Sequence, residues 1–298
     1  MRVGLVGLGV IGSRVGARLA TSGSLDVVYN RTRAKAEAFS KANGVRAAVD
    51  VRELVSSCDA VVTVLSDDDA VLSMIGELAR DNMRGKTFLD ISTIAPSTSI
   101  LVSSQLGERG ASMLDCPLVG SASMLEKGEA RLLVGGKKTD FDAFSPVLHR
   151  IANEVLYVGQ NGAGLRLKLV HNLVLGSYVV ALSEAVHFGL AGGLEPEQIE
   201  NLLVSLSSVR SPNSAIKVPK ILKADYSTQF SLKHMVKDLG LIEAEARRQG
   251  SAIPLGGLAL QLYKLVEKRG FLDEDFVAVA ELFKKADGLS PKETRPGK

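Results

Sequence analysis

Six residues near the start of this chain constrain its fold more than any others. Gly7-Leu8-Gly9-Val10-Ile11-Gly12 directly follows the apolar run Val3-Gly4-Leu5-Val6 and precedes Ser13–Gly23, a stretch of helical composition. Three glycines at this spacing, between a strand and a helix, answer three demands. These are a tight turn, close approach of backbone to a pyrophosphate, and close packing of helix on strand. The N–H groups and positive dipole end at the helix start then hold phosphate. The competing reading is a plain turn with spare glycines. The flanking strand and helix favour a dinucleotide site lined by Gly7, Leu8, Gly9, Val10, Ile11 and Gly12.

The rest of the first half has the same grammar. Short β-rich runs begin at Arg2, Asp26, Ala60, Thr87, Ala111, Ala130 and Glu154, and most are separated by helical patterns. Strands alternating with helices imply βαβ units and a mostly parallel sheet. After Gly162 the strand signals stop, and helices are predicted over 164–192, 196–207, 231–249, 254–268 and 273–286. The expected organisation is α/β: a Rossmann dinucleotide-binding domain over residues 1–162, then an all-helical domain over 163–298 that handles substrate and oligomerisation. The polar tail 290–298 is expected to fray. A length of 298 residues suits two domains.

Several function classes drop out. Lys plus Arg is 36 against 33 Asp plus Glu, a net charge of +3, and no basic run suggests a nucleic-acid partner. Cys58 and Cys116 form neither a disulfide framework nor a zinc motif, and His149, His171, His187 and His234 show no metal spacing, so no metal is expected. Met1 leads straight into a strand, which argues against a secretory or transit segment and for a cytoplasmic protein. The apolar run 169–183 is shorter than a membrane span and holds His171 and Asn172, so a buried helix is expected and no membrane partner. Gly85-Lys86-Thr87 imitates the end of a P-loop, but Arg80 stands where the first glycine belongs and a strand follows. No G-x-S-x-G elbow occurs.

The end of the second strand bears on cofactor choice. An acid there would take the ribose hydroxyls and repel a 2′-phosphate. This chain has Asn30-Arg31-Thr32 and no acid before Glu37. Arg31 can stack on adenine and clamp a phosphate, while Asn30 and Thr32 can donate hydrogen bonds. NADP is therefore expected rather than NAD. Leu65 and Ser66, at the end of the run from Ala60, complete this part of the cofactor set.

Candidate chemistry sits at other strand ends and on one helix. Asp90-Ile91-Ser92-Thr93 closes one strand and Asp115-Cys116-Pro117-Leu118-Val119-Gly120-Ser121 the next, where α/β sheets place ligands. Lys168 and Asn172 lie four apart, on one face of the first long helix. A lysine at a helix start often only snorkels to solvent. Paired with an asparagine at a domain junction, it is harder to explain that way.

Taken together, GLGVIG, NRT, DISTIAP, DCPLVGS, GAGLRLKLVHN and FSLKHMVKDLGL resemble the β-hydroxyacid dehydrogenases, which include 3-hydroxyisobutyrate dehydrogenases and glyoxylate/succinic semialdehyde reductases. The resemblance runs over nearly the whole chain, in order. It implies a Rossmann domain, an all-helical domain and an active site between them. It also implies Lys168 as the catalytic lysine, with Asn172, Ser92, Val119, Gly120 and Ser121 on the substrate, and Thr93 and Lys237 on the cofactor. One departure stands out: Val119-Gly120-Ser121 replaces the family's Ser-Gly-Gly or Ser-Gly-Ser, so one carboxylate-binding hydroxyl is missing. The FSLKH string resembles the semialdehyde-reductase branch.

The expected activity is hydride transfer between NADP and a small carboxylate-bearing hydroxy acid, such as 3-hydroxyisobutyrate, L-serine or a similar 3-hydroxy acid. The alternative is a glyoxylate/succinic semialdehyde reductase. An imine reductase or a redox-silent NADP-binding protein would be expected to lack Lys168. The helix over 164–192 is apolar on nearly every face, which predicts a homodimer or homotetramer, with Gly176, Ser177 and Ala181 admitting a second helix. The bland alternative is that the remaining helices and the first domain cover it.

Overall fold

The computed structural model describes residues 1–79 and 81–284. It divides into two compact units, Met1–His171 and the chain from Asn172 on. The division falls inside a helix rather than at its start at 162/163. The physical reason is that the first turns of this helix pack on the sheet, with Leu165 in the sheet's core.

In the first unit β1 (Val3–Val6), α1 (Val10–Thr21), β2 (Val27–Tyr29), α2 (Arg33–Asn43), β3 (Arg46–Ala47), α3 (Val51–Ser57) and β4 (Ala60–Thr63) form the first half of the sheet. There follow α4 (Asp68–Glu77), β5 (Thr87–Asp90), α5 (Pro96–Gly107), β6 (Ser112–Asp115), β7 (Leu118–Val119), α6 (Ala122–Glu126), β8 (Arg131–Gly135), α7 (Lys138–Ile151) and β9 (Glu154–Gly159). Among the described residues nine strands make one sheet, ordered β3-β2-β1-β4-β5-β6-β8-β7 with β9 on β8. The pairs are parallel except β6–β8 and β7–β8.

Central strands read as continuous apolar runs because helices cover both faces. Leu5, Val62, Leu89 and Leu114 point into one core. Val6, Val61, Phe88 and Met113 point into the other. This is the period-two alternation of a strand. Caps terminate the helices locally: Asp50 accepts the Glu53 N–H, Asp67 accepts the Ala70 N–H, and Pro96 opens α5. All seven strands read from the sequence are present. The two-residue β3 and β7 are additional, and too short to carry a periodic signal.

α8 (Ala163–Ala191) runs on from the first unit into the second. By length and apolarity it could cross a membrane, since it is longer than the run 169–183 and an 18-residue stretch of it has a mean hydropathy of 1.6. Lys168, Asn172 and Ser183 are buried by protein, while Val170, Val174 and Phe188 of the same helix are exposed. The second unit continues with α9 (Pro196–Asn201), a π-helical turn Leu202–Leu206, α10 (Pro212–Leu222), α11 (Leu232–Gln249) and α12 (Pro254–Glu267).

Three differences from the sequence reading have physical causes. The predicted helix 196–207 turns π-helical after Asn201. α10 escaped notice because Pro212 and Pro219 mask its period; Pro212 sits at the first helical position, and Ser211 and Ser214 form a capping box. The predicted helix 273–286 is a 3-10 helix over Phe276–Leu282, with residues 285 and 286 outside the described residues. Asp275 sets its start by accepting the Val277 N–H, while Lys217, Gln229 and Phe230 also donate to its carboxylate. The tail 290–298 lies outside the described residues.

Candidate active site

The glycine turn divides its three tasks by position. A Cβ on Gly7, where φ is +99°, would stand 2.2 Å from the Val64 carbonyl oxygen. One on Gly12 would stand 2.0 Å from the Gly7 oxygen. Both glycines are therefore demanded by packing. A Cβ on Gly9 would meet nothing within 4 Å. Gly9 heads α1, which has no side-chain cap and no acid in its first turn, so its leading N–H donors and positive dipole end are uncompensated. An open glycine before an uncapped helix suits the pyrophosphate of a dinucleotide.

Asn30 has a structural task in the turn as well as the expected one. Its Oδ1 accepts the Leu8 N–H at 2.9 Å and its Nδ2 donates to the Thr32 carbonyl at 3.1 Å. It locks the glycine turn to the end of β2 with one amide N–H and keeps the other to spare. Beyond it lies a cavity of about 340 Å³ whose lining includes Tyr29, Arg31, Arg33, Ser40 and Arg46. Arg33 is paired with Glu37 and Arg46 with Glu53. Arg31 has no ion-pair partner among the described residues, and Thr32 caps α2 without a side-chain bond. Arg31 is thus the cation available at this cavity.

At the ends of β4 and β5, Ser92 is also committed. It is buried, its hydroxyl donates to Asp90 Oδ1 at 2.6 Å, and it accepts the Leu65 N–H at 2.9 Å. With its single proton on Asp90, Ser92 ties two strand ends together. Burial pushes the Asp90 carboxyl up to about 6, against hydrogen bonds from Ser92 and Thr63. Ser66 donates to Asp67, the cap of α4. Thr93 is half-buried beyond the end of β5.

The Val119-Gly120-Ser121 segment makes the turn from β7 into α6. Gly120 has φ of +137°, and a Cβ there would press on Ala130 at 3.1 Å. Ser121 accepts the Met124 N–H at 3.3 Å, and its Oγ lies 2.8 Å from Ser123 Oγ. Val119 is half-buried and offers no polar atom beyond its backbone.

Lys168 lies on α8 and is only 7% exposed, so its amine is held in the protein instead of snorkelling to solvent. His171, one turn on, is pulled down to about 4 by burial and by the Lys168 charge, so its imidazole is neutral near pH 7. In the second unit Asn172 is buried and its Nδ2 donates to Asp238 Oδ2 at 2.6 Å. Lys237 Nζ lies 3.1 Å from Asp238 Oδ1. Asp238 was missed in the sequence, although its place beside Lys237 in VKDLGL was a signal. Gly176 serves packing inside the chain, since a Cβ there would meet Met235 at 3.0 Å and Leu239 at 3.3 Å. Among the described residues no His, Cys, Asp and Glu cluster could hold a metal ion.

Comparison with known proteins agrees with this geometry. The profile of the NAD binding domain of 6-phosphogluconate dehydrogenase matches residues 2–159, and that of the NAD-binding domain of NADP-dependent 3-hydroxyisobutyrate dehydrogenase matches residues 162–283. Glyoxylate/succinic semialdehyde reductase 2 of Arabidopsis thaliana is 30% identical over 288 residues, covering 95% of this chain and 80% of that protein. The NAD-dependent L-serine dehydrogenase of Pseudomonas aeruginosa is 29% identical, covering 96% and 99%. The structure of Mycobacterium tuberculosis 3-hydroxyisobutyrate dehydrogenase with L-serine superposes with a TM-score of 0.86 at 24% identity, covering 95% and 99%, a likeness of fold. The chain belongs to the β-hydroxyacid dehydrogenase family, the family of 3-hydroxyisobutyrate dehydrogenase, and is an NAD(P)-dependent oxidoreductase of hydroxy acids.

Proposed function

We propose that this chain is an NADP-dependent dehydrogenase of a small 3-hydroxy acid, with Lys168 moving the hydroxyl proton. The observation that carries the reading is the buried amine of Lys168, one helical turn from Asn172 on α8. A buried charge is held by its partners, so the Lys168 amine is fixed in place, as a proton-transfer group must be. In oxidation its amine form takes the substrate hydroxyl proton; in reduction its ammonium form stabilises developing alkoxide and returns that proton. Asn172 is oriented for substrate by Asp238. The backbone of Gly120 and Ser121 supports a carboxylate where Val119 has no hydroxyl. When bound, the nicotinamide supplies or accepts the hydride.

NADP is preferred because Arg31 stands where an acid would select NAD, beside a cavity whose other arginines are already paired. The test is turnover of Lys168→Met with both cofactors against L-serine, 3-hydroxyisobutyrate, 3-hydroxypropionate, 4-hydroxybutyrate and glyoxylate. The second reading is reduction of an aldehyde acid, supported by the Arabidopsis reductase and by the string Phe230–His234, which resembles that branch. NADPH oxidation by glyoxylate or succinic semialdehyde, far outpacing oxidation of any hydroxy acid, would select it.

The same reading includes a cytoplasmic homo-oligomer. Val170, Val174 and Phe188 of α8 are 58%, 65% and 82% exposed in the single chain. Val174 also borders an apolar cavity of about 500 Å³ with Leu173, Tyr178, Ile253, Pro254 and Leu255. A second copy of the chain is the partner proposed for this face.

A further inference from the structure

The first turn of α8 cannot cap itself. The Arg166 N–H bonds the Gly162 carbonyl at 2.9 Å, which makes Gly162 the N-cap and Leu165 the third helical residue. In a capping box these two positions exchange side-chain hydrogen bonds, and a glycine and a leucine have none to offer. Asp115, the last residue of β6, performs both tasks from the sheet. Its Oδ1 accepts the Gly162 N–H at 2.7 Å and its Oδ2 accepts the Leu165 N–H at 3.0 Å. Asn161 Nδ2 approaches Oδ1 at 3.4 Å and donates to the Met113 carbonyl at 2.9 Å.

Space for this contact is made by two more glycines. A Cβ on Gly135, the β8 partner of Asp115, would lie 2.7 and 2.8 Å from the two carboxylate oxygens. A Cβ on Gly164 would lie 2.8 Å from Oδ2 and 2.3 Å from the Leu133 carbonyl oxygen. Asp115 has no exposed surface, and burial raises its carboxyl above the ordinary range against the bonds from Gly162 and Leu165. A carboxylate held so deeply, in a space cleared by missing side chains, is a specific joint between sheet and helix. Lys168 lies three residues past Leu165, one turn along the same face.

We propose that Asp115 is the positioning residue of Lys168, capping α8 from the end of β6 and so setting the rotation and height of the turn that presents the amine. The proposal rests on the reading of Lys168 as the proton-transfer residue. A displacement of about 1 Å in such a group costs on the order of 100-fold in rate.

The test compares Asp115→Asn, Lys168→Met and the double variant in the full chain, measuring kcat, substrate KM and the Kd of NADPH by nicotinamide fluorescence. Asp115→Asn should leave Kd and KM within about threefold and lower kcat roughly 10- to 100-fold. In the Lys168→Met background the same change should alter kcat less than about twofold, because its effect runs through the lysine. An unchanged kcat in Asp115→Asn, or an equal further fall in the Lys168→Met background, overturns the positioning role and leaves the lysine reading intact. Full activity in Lys168→Met alone overturns the lysine reading, and the positioning role with it. If Asp115→Asn does not fold, Gly164→Ala decides, since it retains the carboxylate but crowds the helix off it. The same selective fall in kcat is expected there, and an unchanged kcat overturns the proposal.

Discussion

Asn172 Nδ2 donates to Asp238 Oδ2 at 2.6 Å, and Lys237 Nζ stands 3.1 Å from the other oxygen of the same carboxylate. One buried acid therefore orients two residues that the sequence places 65 positions apart. Removing Asp238 leaves the Asn172 amide buried without this acceptor, a loss of about 1–3 kcal/mol. Asp238→Ala and Asn172→Ala should each destabilise the protein to urea. The double variant should show a coupling of at least roughly 0.5 kcal/mol. Strictly additive losses would mean that the contact carries no energy.

Cofactor selection should follow Arg31. Losing a charge-assisted phosphate contact costs about 1.5–3 kcal/mol, or roughly 10- to 100-fold in affinity. Arg31→Ala should raise the KM for NADP by that factor and hardly change the KM for NAD. Equal use of both cofactors by the unaltered protein would remove the basis for the preference.

Proton transfer should follow Lys168. Lys168→Met is expected to lower kcat about 10²–10⁴-fold while NADP binding and thermal unfolding stay unchanged. Retention of more than about a tenth of the activity would move the chemistry to another residue.

Asp90 should give the protein an acid-side stability profile of unusual sign. Its carboxyl titrates at about 6 in the fold against an ordinary 3.8, so the folded state holds the proton more tightly than the unfolded chain. Its contribution is greatest below pH 3.8, declines as pH rises towards 6, and is flat above. The gap is worth roughly 3 kcal/mol. Asp90→Asn retains an oxygen for Thr63 and Ser92 and carries no charge. It should raise Tm at pH 8 and remove this component of the pH 4–6 slope. A lower Tm at pH 8 would show that the charge stabilises the fold.

The exposed face of α8 should be covered by a second chain. Light scattering at micromolar concentration should give a mass at least twice 31.6 kDa. Val174→Glu with Phe188→Glu should shift it to the single-chain value, because a buried unpaired charge opposes association. A single-chain mass for the unaltered protein would refute the assembly.

What the sequence determined by itself was local. The β1–glycine–α1 turn was legible because Gly7, Gly9 and Gly12 stand within six residues between a strand and a helix, and strand and helix periods repeat over similarly short spans. The contact that demands Gly7 nevertheless comes from Val64. Motif spacing also placed Lys168 and Asn172 one turn apart, because a helix sets that distance regardless of what surrounds it. The tertiary structure decided what each polar group is used for. Ser92 and Asn30 read as ligand groups, yet the Leu65 and Leu8 N–H groups engage their oxygens across 27 and 22 residues. Asp115 and Asp238 take their roles from partners 47 and 66 residues away. A buried hydrogen bond is chosen by which groups are desolvated together, and that is settled only when separate elements pack.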